Sequence, residues 1–89
     1  MGGMPQISQF FGIVIYMYFN EHLPSHFHAE YGEAEAVYRI DTLDVIRGKL
    51  PRRAHALVVE WATLHRPELR ADWDRARQAV PLLEIEPLD

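Results

Sequence analysis

His26–Tyr31 alternates strictly. Phe27, Ala29 and Tyr31 fall on one side of an extended chain, and His26, His28 and Glu30 fall on the other. Gly32-Glu33 follows and suits the two-residue loop of a type II′ hairpin, in which glycine supplies the positive φ. Ala34–Ile40 then returns as the antiparallel partner. This turn sets Tyr31 opposite Ala34, Ala29 opposite Ala36 and Phe27 opposite Tyr38, all apolar pairs on one face. A slip of one residue would turn every side chain over, so the pattern and the turn specify the same register. On the other face His26 meets Arg39, His28 meets Val37 and Glu30 meets Glu35. Two directly opposed carboxylates are unfavourable without a cation or solvent between them. That face is either wet or functional.

The hairpin organises its neighbours. Ile7–Phe10 reads as a short opening strand, and Ile13–Phe19, rich in β-branched and aromatic residues, as a central strand. Asn20–Ser25 breaks it, since Pro24 cannot join a ladder. Leu43–Arg47 forms a further strand ending at Gly48. Pro51 suits the first position of a helix, whose buried stripe is Ala54, Leu57, Val58, Trp61 and Leu64. Pro67 ends that helix and opens a second, with Leu69, Trp73, Ala76 and Val80 on its apolar side. His55 and His65 read as surface positions of the first helix. Leu83-Glu84-Ile85 is expected as a last edge strand. The class is α+β: a curled antiparallel β-sheet of four to five strands, followed by two C-terminal helices packed on its apolar face.

Eighty-nine residues fit one domain, read here as residues 4–89, with Met1-Gly2-Gly3 an artificial leader before a natural start at Met4. There is no cysteine, which excludes disulfides, thiolate zinc fingers and cysteine nucleophiles and favours a reducing cytoplasm. The longest apolar run, Phe10–Phe19, is too short to cross a bilayer. Net charge is −4, but it is unevenly spread. Residues 1–38 carry no Lys or Arg, whereas Arg39, Arg47, Lys49, Arg52 and Arg53 follow closely. The overall charge argues against general nucleic-acid binding, and the local patch leaves a small anion site or an RNA contact open.

Three of the five histidines, His22, His26 and His28, fall within seven residues. His26 and His28, two apart on a strand, project from one face and can share a metal ion. His22 is the expected third ligand, with Glu30 or Glu35 as oxygen donor and zinc or another divalent metal as cofactor. Three protein ligands and one open position make a catalytic zinc site. The plain alternative is a solvated polar face. Arg39 opposite His26 argues against a second cation there. Without metal, His26 and His28 supply a general acid and base, and Arg39 an anion anchor, the inventory of a ribonuclease. Lys49, Arg52 and Arg53, with Arg47, surround the N-terminus of the first helix. They serve either as an anion site or as a solvated loop paired with Asp41 and Asp44.

Met4-Pro5-x-Ile7-Ser8-x-Phe10-x-Gly12-Ile13, the H-x-P-x-H-F-H-A-x-Y-G stretch His22–Gly32 and G-K-L-P-R-R-A at Gly48–Ala54 together resemble the small prokaryotic family called domain of unknown function 4160. So do W-A-x-L-H at Trp61–His65 and the tail Pro81–Leu88. Ser25 departs from the family's P-P-H-F-H form and leaves the histidines in place. The resemblance carries no established activity and no catalytic residues. It implies a bacterial cytoplasm and a small protein partner encoded nearby, resembling domain of unknown function family 2442, in a toxin–antitoxin-like pair.

Two functions follow as expectations. The first is an interaction module of a two-protein system with a histidine-rich ligand face. The second is a small metal-dependent or ribonuclease-like enzyme using His26 and His28. Homo-oligomerisation is left open by the sequence.

Overall fold

Five strands run in chain order as an antiparallel meander: β1 (Gln6–Phe10), β2 (Ile13–Tyr16), β3 (His26–Tyr31), β4 (Ala34–Arg39) and β5 (Val45–Lys49). Helices α1 (Arg52–Leu64) and α2 (Arg66–Arg77) follow, giving the α+β fold expected. This computed structural model describes residues 5–89, so the leader and the start at Met4 lie outside the described residues. No helix among them is long and apolar enough to cross a membrane.

The β3–β4 pairing is the one the hairpin dictates, from Tyr31↔Ala34 through Ala29↔Ala36 and Phe27↔Tyr38 to His26↔Arg39. Gly32 takes φ 59° and Glu33 is not among the positive-φ residues, as a type II′ turn requires. Side chains from alternate positions of β1–β4 meet the helices: Phe10, Ile13, Ile15, Phe27, Ala29, Ala36 and Tyr38 share a core with Val58, Trp61, Leu69 and Trp73. Trp61 packs on Phe10 and Phe27, at ring-centroid distances of 5.3 and 6.0 Å. Its indole N–H donates to the Glu86 carbonyl at 2.8 Å, which holds the tail against α1.

Several boundaries differ from expectation. β2 stops at Tyr16, because Met17–Ser25 leaves the sheet to cross its second face. β5 runs through Gly48 to Lys49, with Gly48 at φ 76° and the register shifting between Val37 and Tyr38 of the partner strand. The unpaired residue of that bulge is Ile46, and Gly48 continues the strand in register opposite Ala36. Leu64 is 63% exposed, being the last residue of α1 and turned about 80–90° from the stripe's centre, and Ala62 is buried in its place. Val80 lies beyond α2 and is exposed. Leu83–Ile85 forms no strand and makes one ladder-like bond, Ile85 N–H to the Ile7 carbonyl at 2.7 Å. His55 and His65 are half-buried, His55 stacking on Tyr38 with its Nδ1 2.8 Å from the tyrosine hydroxyl.

Candidate metal centre

Paired residues of an antiparallel ladder share a face. The register therefore lays rows across the second face of the sheet: Tyr16–His28–Val37–Arg47 and Val14–Glu30–Glu35–Lys49. Alternation alone leaves this face open to water. Met17–Ser25 closes part of it, so that Tyr16, His26, His28 and Val37 are buried. Asn20 N–H donates to the Ala76 carbonyl at 3.2 Å and ties the segment to the end of α2. Tyr18 turns its ring edge to Tyr16 and His28, while His28 stacks on Tyr16 at 4.9 Å. His26 lies against Trp73 at 5.0 Å.

The crossing segment brings Glu21 over the two histidines. Its Oε1 lies 2.8 Å from His26 Nε2 and 2.9 Å from His28 Nε2. His26 is 8% and His28 3% exposed, so water has little access to either ring. The remaining ring nitrogens decide what this convergence means. His26 Nδ1 lies 2.7 Å from the Pro24 carbonyl, which can only accept, so Nδ1 carries a proton. In the neutral ring His26 Nε2 is then a bare lone pair aimed at a carboxylate oxygen. Only a cation between them, a proton or a metal ion, makes the contact favourable. His28 Nδ1 is buried without a hydrogen bond and faces Glu35 Oε2 at 3.6 Å. That same oxygen accepts the Tyr16 hydroxyl. His26 thus donates from its second nitrogen to an oxygen acceptor, the arrangement that orients metal-bound imidazoles, and His28 has a carboxylate beyond bonding distance of its own.

Donors from Glu21, His26 and His28 all lie within 4.8 Å of one another. Zinc bonds of about 2.0–2.1 Å place tetrahedral donors about 3.3 Å apart, so loading moves each histidine nitrogen roughly half an ångström further from Glu21 Oε1. Partial burial raises the Glu21 carboxyl, but its bonds to His28 and His26 outweigh burial and hold it below the ordinary carboxylate value. Burial first, and then the bond to Glu35, push the Tyr16 hydroxyl far above the ordinary tyrosine range, which keeps it a donor.

The family model described as domain of unknown function (DUF4160) matches residues 12–74. The chain belongs to this family. Comparison with curated proteins and with solved structures returns no significant match. The DUF4160 match spans Glu21, His26 and His28 and reaches into α2.

Within this DUF4160 domain, His26 and His28 come together as the strand spacing requires. His22 and Glu30, the other two expected ligands, lie outside the group of converging donors. His22 is exposed and lines, with Glu21, a pocket of about 250 Å³ beside the cluster. Glu30 is half-buried one row away, opposite Glu35. Arg39 is half-buried and its guanidinium pairs with Asp44 at 3.7 Å, so it is not brought into the histidine cluster as an anion anchor. Asp41 pairs with Arg70, so neither aspartate neutralises the basic patch. That patch divides: Lys49 lies on β5 opposite Glu35, and Arg52 and Arg53 begin α1.

Glu21 is the residue the sequence reading passed over. It immediately precedes the His22–Gly32 stretch, and its spacing in E-x4-H-x-H is a usable signal. The reading drew ligands from the strand face and the nearest histidine. It gave no weight to a carboxylate carried over the face by the turn.

Proposed function

We propose that this protein is a small divalent-metal-binding module, with Glu21, His26 and His28 as its protein ligands. The observation that carries this reading is the second bond of His26. With Nδ1 donating to Pro24, Nε2 offers a lone pair to the point that Glu21 and His28 also face. Two imidazoles and one carboxylate suit zinc or iron(II) and leave positions for water or a ligand, as catalytic centres do. This keeps a metal-dependent enzyme within the same reading. A metal-free ribonuclease has less support, because Arg39 is engaged by Asp44. The test is metal analysis of untagged protein together with a Zn²⁺ titration followed through the imidazole NMR signals. One equivalent bound, with His26 and His28 both perturbed and His22 unperturbed, is the expected result. Protein that retains no metal and shows no imidazole response removes the proposal.

A second reading, one half of a two-protein system, has a separate observation behind it. The β1 edge is covered by the tail through Ile85, whereas every residue of β5 at the opposite edge is exposed. Such an edge accepts an added strand, and Arg47 and Lys49 favour an acidic one. Co-expression with the small neighbour that the family resemblance implies, followed by size-exclusion, tests this; separate elution refutes it.

A further inference from the structure

The geometry points to a binding pocket for a small oxyanion with an apolar body, placed between the metal ligands and Arg47. The inference rests on the metal reading above and gives that site a ligand class.

Its basis is the pocket of about 250 Å³ beside the cluster. Two of the three metal ligands, Glu21 and His26, form part of its wall, while His28 lies behind them. Arg47 also lines it, contributed by β5 in the row that runs through Val37 to His28. Among the described residues the arginine ion pairs are Arg39–Asp44, Arg70–Asp41 and Arg75–Asp72, which leaves the Arg47 guanidinium outside them. The remaining walls are mostly apolar, from Leu23, Val37 and Ile46.

Charge then selects the occupant. Without metal, the Glu21 carboxylate faces the pocket and opposes an anion. A divalent ion bound to two neutral imidazoles and one carboxylate leaves a net positive centre, and a cation in a site dominates its local electrostatics. Arg47 adds a second positive group with a fork of donors suited to a carboxylate or phosphoryl head. One oxygen of such a head fills an open position on the metal while another meets the guanidinium. The volume lies below the roughly 300–1,000 Å³ of drug-sized sites, so the ligand is a small molecule and not a dinucleotide. Leu23, Val37 and Ile46 favour an apolar body over a second charge. Anion binding is therefore expected to depend on the metal.

Benzoate and phenylphosphonate are the probes, with benzyl alcohol as the neutral control. Each is titrated into metal-free and zinc-saturated protein, and amide NMR shifts are followed. The expected result is binding of at least one anion to the zinc form alone, with shifts at Leu23, Ile46 and Arg47. Arg47→Gln, read at zinc saturation, weakens it roughly ten- to hundredfold, as loss of a hydrogen bond to a charged group does. The tighter of the two anions names the head group. Three results overturn the pocket alone while zinc still binds: neither anion binds, the metal-free form binds equally well, or Arg47→Gln leaves the affinity unchanged. Failure of zinc to bind removes the metal reading and this inference with it.

Discussion

Glu21→Ala separates a cation site from an ordinary polar contact, because its two consequences have different origins. In metal-free protein a proton on each facing ring nitrogen makes the carboxylate the partner of both, at 2.8 and 2.9 Å, on histidines only 8% and 3% exposed. Leaving a buried polar group unpaired costs about 1–3 kcal/mol. The Glu21 side chain is itself 26% exposed, so water enters where it stood and each loss falls near the low end. The expected destabilisation is about 2 kcal/mol. In a domain of this size that lowers Tm by roughly 8–16 °C. Zinc provides the second arm. At a hundredfold excess over its Kd a ligand specific for the native state adds about 2.7 kcal/mol, a rise of roughly 11–22 °C. The variant, with two protein ligands instead of three, should lose most of that rise at the same zinc concentration. Thermal melts of both proteins with and without Zn²⁺ read both arms. A variant that melts within about 2 °C of the parent and gains as much from zinc would refute the reasoning, since Glu21 would then be neither partner nor ligand.

Three further outcomes follow from the fold. Burial pushes the Tyr38 hydroxyl from 10.0 up to about 12. The stability this contributes is complete below pH 10 and is lost as pH rises toward 12, at up to about 1.4 kcal/mol per pH unit, so guanidinium unfolding from pH 9 to 12 should show a decline that Tyr38→Phe reduces. At Gly48→Ala the added Cβ falls 2.2 Å from the Glu35 carbonyl oxygen at φ 76°, and chemical unfolding should show a loss of at least about 2 kcal/mol. Asp72, fully buried, accepts Leu83 N–H at 2.9 Å and Arg75 at 2.7 Å; Asp72→Ala should cost about 2–3 kcal/mol and speed hydrogen exchange at the Ile85 amide in the tail it secures.

What sequence could and could not convey follows the range of the interactions. The β3–β4 register was readable because two local signals, period-2 alternation and Gly32-Glu33, demand the same pairing. Trp61 and Trp73 fall in the core for the same kind of reason, helical spacing. Gly48 misled because a glycine that ends a strand and one that continues it opposite a close neighbour look alike in a string of letters. The difference lies in the neighbouring strand, whose Glu35 carbonyl leaves no space for a Cβ. His26 and His28 were placed on a face that was either wet or functional. They are buried by a segment beyond the sheet, anchored to the end of α2 by Asn20. No periodicity within the strands reports such a cover.

The charge balance on that face also shifts when the whole sheet is considered. Glu30 opposite Glu35, taken as a pair, calls for a cation between them. Yet Lys49 stands next in the same row, and Tyr16 donates its hydroxyl to Glu35. That row is supplied with positive charge and donors from the sheet itself. Arg39, which argued against a cation near His26, is engaged by Asp44. Both considerations therefore leave the question where they began. The demand for a cation arises elsewhere, at Glu21, where two imidazoles and a carboxylate converge. His26 cannot relieve it by changing tautomer while Pro24 holds its Nδ1 proton. A proton on His26 Nε2 pairs that nitrogen with Glu21 alone, whereas one metal ion can meet all three donors together. Because the site sits at the wall of a pocket that also contains Arg47, a metal there remains open to further ligands. The same three residues buried on all sides would serve only to hold the fold together.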